Sequence, residues 1–151
     1  MRKVIFLFSL FFALSTYGSK LILQKNDSLI FKYLDSINYY IDSLDIQEPL
    51  YVLAQSCWET GWFQCKNCTR ENNNIFGFRG QSGKYMKFKS LSECMVYYSN
   101  WQKKRYPKFK KLHPGGTYLG FLKWCRFAES PHYSRVITET YNWILKNWAN
   151  E

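Results

Sequence analysis

The chain has 151 residues, 20% of them aromatic, and a formal charge of +10 at pH 7. That length suits one domain with a single core and excludes two comfortable ones. The charge favours anionic partners, which outside a cytoplasm means cell-wall polymers or acidic glycans before nucleic acid; the densest basic run, Lys103-Lys104-Arg105 with Lys108, Lys110 and Lys111, reads as a solvated helix end and loop.

The chain opens with Met1-Arg2-Lys3 and an apolar run over residues 4–14, too short for a permanent bilayer span and followed by small residues at Ala13-x-Ser15 and Thr16-x-Gly18. This predicts a signal peptide over residues 1–18 and a domain over residues 19–151. The product is then exported, to a bacterial periplasm or the exterior, with no integral membrane segment after cleavage. Losing Arg2 and Lys3 lowers the charge to +8, so the remaining domain is still basic.

Ile30, Leu34, Ile37, Ile41 and Leu44 recur at helical spacing behind Asn26-Asp27-Ser28, which offers capping side chains. Pro49 suits the first turn of a second helix whose buried stripe is Leu50, Leu53, Ala54 and Cys57, and Gly61 ends it. Residues 75–88 are rich in Gly and aromatics and predict a short hairpin or irregular flap. Ser90-Leu91-Ser92-Glu93 is a capping box for a third helix, expected to run to about Arg105 before Pro107. The His113-Pro114-Gly115-Gly116 turn precedes a fourth helix near Thr117, with Leu122 and Cys125 inward. Ser130 and Pro131 open a fifth, with Val136, Ile137, Thr140, Tyr141, Ile144 and Trp148 on its apolar face. The predicted fold is mainly α, a helical domain with a small β excursion.

Of five cysteines, Cys65 and Cys68 have CxxC spacing but no second pair, and only His113 and His132 supply imidazole, so neither a metal nor a cofactor is expected. A local disulfide pinning the loop fits better. Cys57, Cys94 and Cys125 fall at apolar helical positions and read as small core residues.

Glu59 stands in Trp58-Glu59-Thr60-Gly61-Trp62, outside the stripe of its helix and on the side of Val52 and Gln55, where it can face a groove. The flanking indoles and the negative end of the helix dipole both disfavour its charge, so its pKa should be raised, as a general acid requires. The plainer alternative is a surface acid that ends a helix.

Three ordered segments carry a family resemblance: Ala54-Gln55-Ser56-Cys57-Trp58-Glu59-Thr60-Gly61-Trp62, Asn73-Asn74-Ile75-Phe76-Gly77-Phe78-Arg79-Gly80, and Phe127-Ala128-Glu129-Ser130-Pro131-His132-Tyr133. Together they resemble the family 73 glycoside hydrolases, the mannosyl-glycoprotein endo-β-N-acetylglucosaminidase-like or bacterial cell-wall glucosaminidase domain, over roughly residues 28–148. The resemblance implies a lysozyme-like helical fold with a small β lobe. It implies hydrolysis of the β-1,4 bond after N-acetylglucosamine in peptidoglycan glycan strands, by a monomer that does not act on nucleic acid. Glu59 matches the general acid and Tyr133 a cleft tyrosine that orients the N-acetyl group or a water. Trp58, Trp62, Asn73, Asn74, Phe76 and Phe78 are the substrate-binding candidates, each with a packing or turn role as its alternative.

The family's second carboxylate, from the β lobe, has no counterpart, because residues 72–92 contain no Asp or Glu. Glu71 reads as a solvated loop charge and Glu93 as part of the capping box. Substrate-assisted attack by the 2-acetamido group is one way to manage with a single acid. A non-catalytic glycan-binding domain of the same fold is a second reading, and an N-acetylmuramidase using the same acid a third.

Overall fold

The structure is a computed structural model that describes residues 27–127 and 132–149. Among these residues the apolar periods become five α-helices and one π-helical turn: α1 (Asp27–Ser43), α2 (Pro49–Glu59), the π-turn (Asn67–Glu71), α3 (Leu91–Leu112), α4 (Tyr118–Trp124) and α5 (Tyr133–Asn147). The fold is mainly helical, as the sequence predicts. The leader over residues 1–18, Asn26 of the first cap, and Ala128-Glu129-Ser130-Pro131 ahead of α5 lie outside the described residues. No described helix is long and apolar enough to cross a membrane.

In α1 the predicted stripe is buried at Ile30, Leu34, Ile37 and Ile41, while Leu44 falls just past the helix end and is half-buried. The second helix departs from the expected pattern. Six consecutive residues from Val52 to Cys57 are buried, including Val52 and Gln55 on the side expected to be open, while Leu50 is only half-buried. The reason is position: α2 packs most extensively on α5 and also on α1, and Gln55 bonds to α3, so the helix is enclosed and has no free face until its last turn.

The capping box of α3 forms, with the Ser90 hydroxyl accepting from the Glu93 N–H and the Glu93 carboxylate accepting from the Lys89 N–H. The helix runs further than the proline predicts, continuing past Arg105 and through Pro107 to Leu112. An interior proline costs about 3 kcal/mol. Beyond it, Phe109 is buried among Phe121, Trp124 and Tyr106, and burying such a side chain contributes about 1.5–3 kcal/mol, which offsets much of the proline's cost. After the Gly115 turn, the Thr117 hydroxyl caps α4 by accepting from the Gly120 N–H. Helix α5 buries Tyr133, Ile137, Thr140 and Ile144, close to the predicted face.

Residues 75–89 form the irregular version of the predicted flap. Its ladder is one isolated antiparallel bridge, Arg79 with Tyr85, supported by the Gly80 N–H donating to the Lys84 carbonyl and the Met86 N–H to the Phe78 carbonyl. Asn74 ties the arms together: its amide nitrogen donates to the Phe78 and Met86 carbonyls, and its oxygen accepts from the Phe78 N–H. The flap is therefore anchored beside the C-terminal end of α2.

Candidate active site

Glu59 is the last residue of α2, and the chain reverses immediately after it. Gly61, Trp62 and Phe63 take successive left-handed conformations with φ of 54°, 57° and 63°. Two non-glycine residues in that region are costly, and packing offsets the cost: Phe63 stacks on Tyr33 at 4.6 Å and Trp62 meets Trp143 edge-on at 4.8 Å. The Thr60 hydroxyl donates to the Ser56 carbonyl and accepts from the Phe63 N–H, which fixes the corner. The reversal returns residues 65–72 alongside Glu59.

These elements enclose a cavity of about 370 Å³ lined by Glu59, by Cys65, Asn67, Cys68 and Asn72 of the returning loop, and by Asn74, Gly77 and Tyr85 of the flap. That size is within the range of small-ligand sites. Burial raises the Glu59 carboxyl to about 7, and interaction with the Tyr133 hydroxyl moderates the rise. Burial and the adjacent carboxyl push the Tyr133 phenol well above its ordinary value, so it remains a protonated donor. Gln55 also interacts with that hydroxyl. Neither contact reaches full hydrogen-bond geometry: the Tyr133 hydroxyl and Gln55 Nε2 are the buried side-chain polar atoms among the described residues that lack a completed bond.

The pKa is raised as the sequence predicts, and poor solvation is the cause, but the indoles do not supply it. Trp58 is 45% exposed, Trp62 packs on Trp143, and neither is among the residues lining the cavity. Desolvation comes instead from enclosure of the helix end beneath the flap. Asn73 adopts φ 48° and donates to the Phe88 carbonyl, a turn-holding role. Asn74 lines the cavity, with its amide engaged by the flap backbone. Phe76 is fully buried, against Tyr98 at 4.1 Å, which is the packing role named as its alternative. Phe78 is nearly buried and reaches a neighbouring trough with Arg79, Trp101 and Phe127 rather than the Glu59 cavity. Most of the aromatic wealth forms the core.

Residue-by-residue reading missed Gly77, Tyr85, Asn72 and Asn67 as cavity walls. Gly77 had a signal, since an Asn-rich turn ending in glycine favours a positive φ, here 66°. Tyr85 is 61% exposed and lies under the Arg79 guanidinium, 4.0 Å from its ring centre. Among the lining residues Glu59 is the one carboxylate. Glu71 is exposed and lies 3.1 Å from the Asn67 amide once its nitrogen is turned toward the acid, while Glu93 caps α3. Among the described residues no three His, Cys, Asp or Glu side chains converge on a metal position.

The Cys65–Cys68 disulfide forms as expected and is itself a wall of the cavity. Cys57 and Cys94 are buried thiols, the latter pushed up to about 12. The Cys68 carbonyl accepts from the Asn74 N–H at 2.7 Å, which joins the disulfide loop to the start of the flap. Replacing both Cys65 and Cys68 by Ser should cost about 2 kcal/mol in urea unfolding, given so short a closed loop. In any turnover assay it should raise KM more than it lowers kcat, since a wall moves and Glu59 does not; an unchanged KM would show that the wall contributes nothing to binding.

The sequence model of the glucosaminidase family, described as mannosyl-glycoprotein endo-beta-N-acetylglucosaminidase, matches residues 36–145. That span includes Glu59, the disulfide loop, the flap and Tyr133. No curated protein and no solved structure matches the chain.

Proposed function

This chain belongs to the mannosyl-glycoprotein endo-beta-N-acetylglucosaminidase family, and from that premise we propose that it is an exported peptidoglycan hydrolase cleaving the β-1,4 bond after N-acetylglucosamine. Membership gives a glycosidase-type domain. The observation that carries the finer reading is Glu59, a carboxyl raised to about 7 by burial at the wall of a ligand-sized cavity.

Near neutral pH a large fraction of Glu59 keeps its proton and can pass it to the glycosidic oxygen as the bond to the anomeric carbon breaks. The Tyr133 hydroxyl then stabilises the carboxylate left behind. With one carboxylate among the lining residues, the substrate's own 2-acetamido oxygen is the nucleophile that best fits the site: it closes on the anomeric carbon, and water reopens the ring with Glu59 now acting as base. The basic surface, +8 once Arg2 and Lys3 leave with the leader, favours an anionic wall polymer as substrate. The leader over residues 1–18 and the domain over residues 19–151 belong to the same proposal.

The lone carboxylate also favours a second reading, a glycan-binding domain that keeps the cleft without turnover. Mass spectrometry of purified peptidoglycan after incubation with the full domain separates the possibilities. New reducing ends on N-acetylglucosamine support the proposal, reducing ends on N-acetylmuramic acid convert it to a muramidase, and binding without any cleavage establishes the second reading.

A further inference from the structure

Behind Glu59 a buried chain of polar side chains crosses the molecule. It begins at the α1–α2 loop, where both backbone groups of Gln47 pin the Gln102 amide: the Gln47 N–H donates to Gln102 Oε1 at 2.8 Å, and Gln102 Nε2 donates to the Gln47 carbonyl at 2.8 Å. Only one orientation of that amide satisfies both. The same Nε2 donates to the Tyr118 hydroxyl at 2.8 Å.

From there each proton has one place to go. Tyr118, having accepted from Gln102, gives its own proton to the Tyr98 hydroxyl 2.6 Å away, and Tyr98 in turn donates to Gln55 Oε1 at 2.8 Å. With Oε1 occupied as an acceptor, Gln55 has its Nε2 left over; that nitrogen and the Tyr133 hydroxyl are both buried without a completed bond, and Tyr133 interacts with both Gln55 and Glu59. Gln55, Tyr98, Tyr118 and Gln102 are all at most 1% exposed. Reversing any link sets a buried donor against a donor, at about 1–3 kcal/mol. The contacts from Gln55 to Tyr133 and from Tyr133 to Glu59 are the incomplete ones, as catalytic hydrogen bonds often are before substrate tightens them.

We infer that Gln55 is a positioning residue: clamped by Tyr98, its amide holds the Tyr133 hydroxyl as a donor to one oxygen of Glu59 and so leaves the acid proton for the other. The inference rests on the hydrolase reading for its catalytic consequence, while the orientation of Tyr133 can be tested without turnover. The titratable groups that face Glu59 are Tyr133 from α5 and Tyr85 from the flap; the disulfide beside it does not titrate.

The test uses the full domain with 13C-labelled glutamate side chains, comparing the wild type with Gln55→Met and Tyr98→Phe. Tyr98→Phe keeps the ring and alters a residue that is neither Glu59 nor Tyr133, so it serves where Gln55→Met fails to fold. Loss of the oriented donor should raise the Glu59 titration midpoint by about one pH unit in either variant. On peptidoglycan kcat should fall about tenfold with KM nearly constant. A lower Tm with the Glu59 midpoint unchanged in both variants would make the chain merely structural and overturn the inference. A shifted midpoint in a protein that cleaves no glycan would uphold the positioning role and overturn the hydrolase reading, so the two fail separately.

Discussion

Glu59→Gln is expected to lower the release of reducing ends from peptidoglycan by roughly 10²–10⁴-fold, the usual contribution of a positioned general acid. The amide keeps the shape and the Tyr133 contact but has no acidic proton, so KM should change little. Wild-type activity should decline as pH rises through about 7, where burial has placed the Glu59 titration, because the ionised acid has no proton to give. The residual activity of the variant should lack that limb. Stability carries the same signature. Relative to an unfolded value near 4.5 the folded pKa is raised, so the fold disfavours the carboxylate. Below about pH 4.5 the group is neutral in both states and costs nothing. The penalty grows between about 4.5 and 7, and above that it reaches about 3 kcal/mol. Urea unfolding should therefore find Glu59→Gln gaining stability over the wild type at pH 8 and not at pH 4. Equal effects at both pH values would mean that Glu59 is not held in a desolvated position.

The part of this site that a sequence can express is the part encoded locally. The α1 period, the Ser90 capping box and the apolar face of α5 need no knowledge of neighbours, and each is found where its pattern predicts it. Pro107 misleads because much of its local cost is offset by Phe109, whose burial depends on Phe121 twelve residues further on. Helix α2 fails in the opposite direction: a stripe of four apolar residues says nothing of Val52 and Gln55, which are buried only because other helices close around them. Glu59 was legible as an acid resisting ionisation, yet the indoles blamed for it stand aside and the flap supplies the desolvation. The Asn-Asn-x-Phe-Gly segment fixes a turn without telling which way its aromatics point, and Phe76 points inward. Gln55, forty-three residues from the hydroxyl that orients it, has no local mark distinguishing it from a solvated glutamine.

Gly77→Ala should damage catalysis, although it removes no chemical group. Gly77 sits at φ 66°, a conformation that costs an L-residue about 1–2 kcal/mol. A Cβ built there stands 3.1 Å from Glu59 Oε2 and 4.0 Å from the Tyr85 ring. The carboxyl must give way by a few tenths of an ångström, but it ends a buried helix and Tyr133 faces it, so little retreat is open. Small displacements of a reacting group are amplified in rate, of order 10²-fold for about 1 Å, so a shift of a few tenths should lower kcat by roughly several-fold. Gly83→Ala separates the causes. Gly83 has φ 75° in the same flap, with nothing within 4 Å of the added carbon. It incurs the backbone cost without the contact, so it should lower stability by a similar amount and leave turnover close to wild type. If the two variants lose activity alike, flap strain rather than pressure on the Glu59 oxygen is responsible, and the close approach of Gly77 has no catalytic meaning.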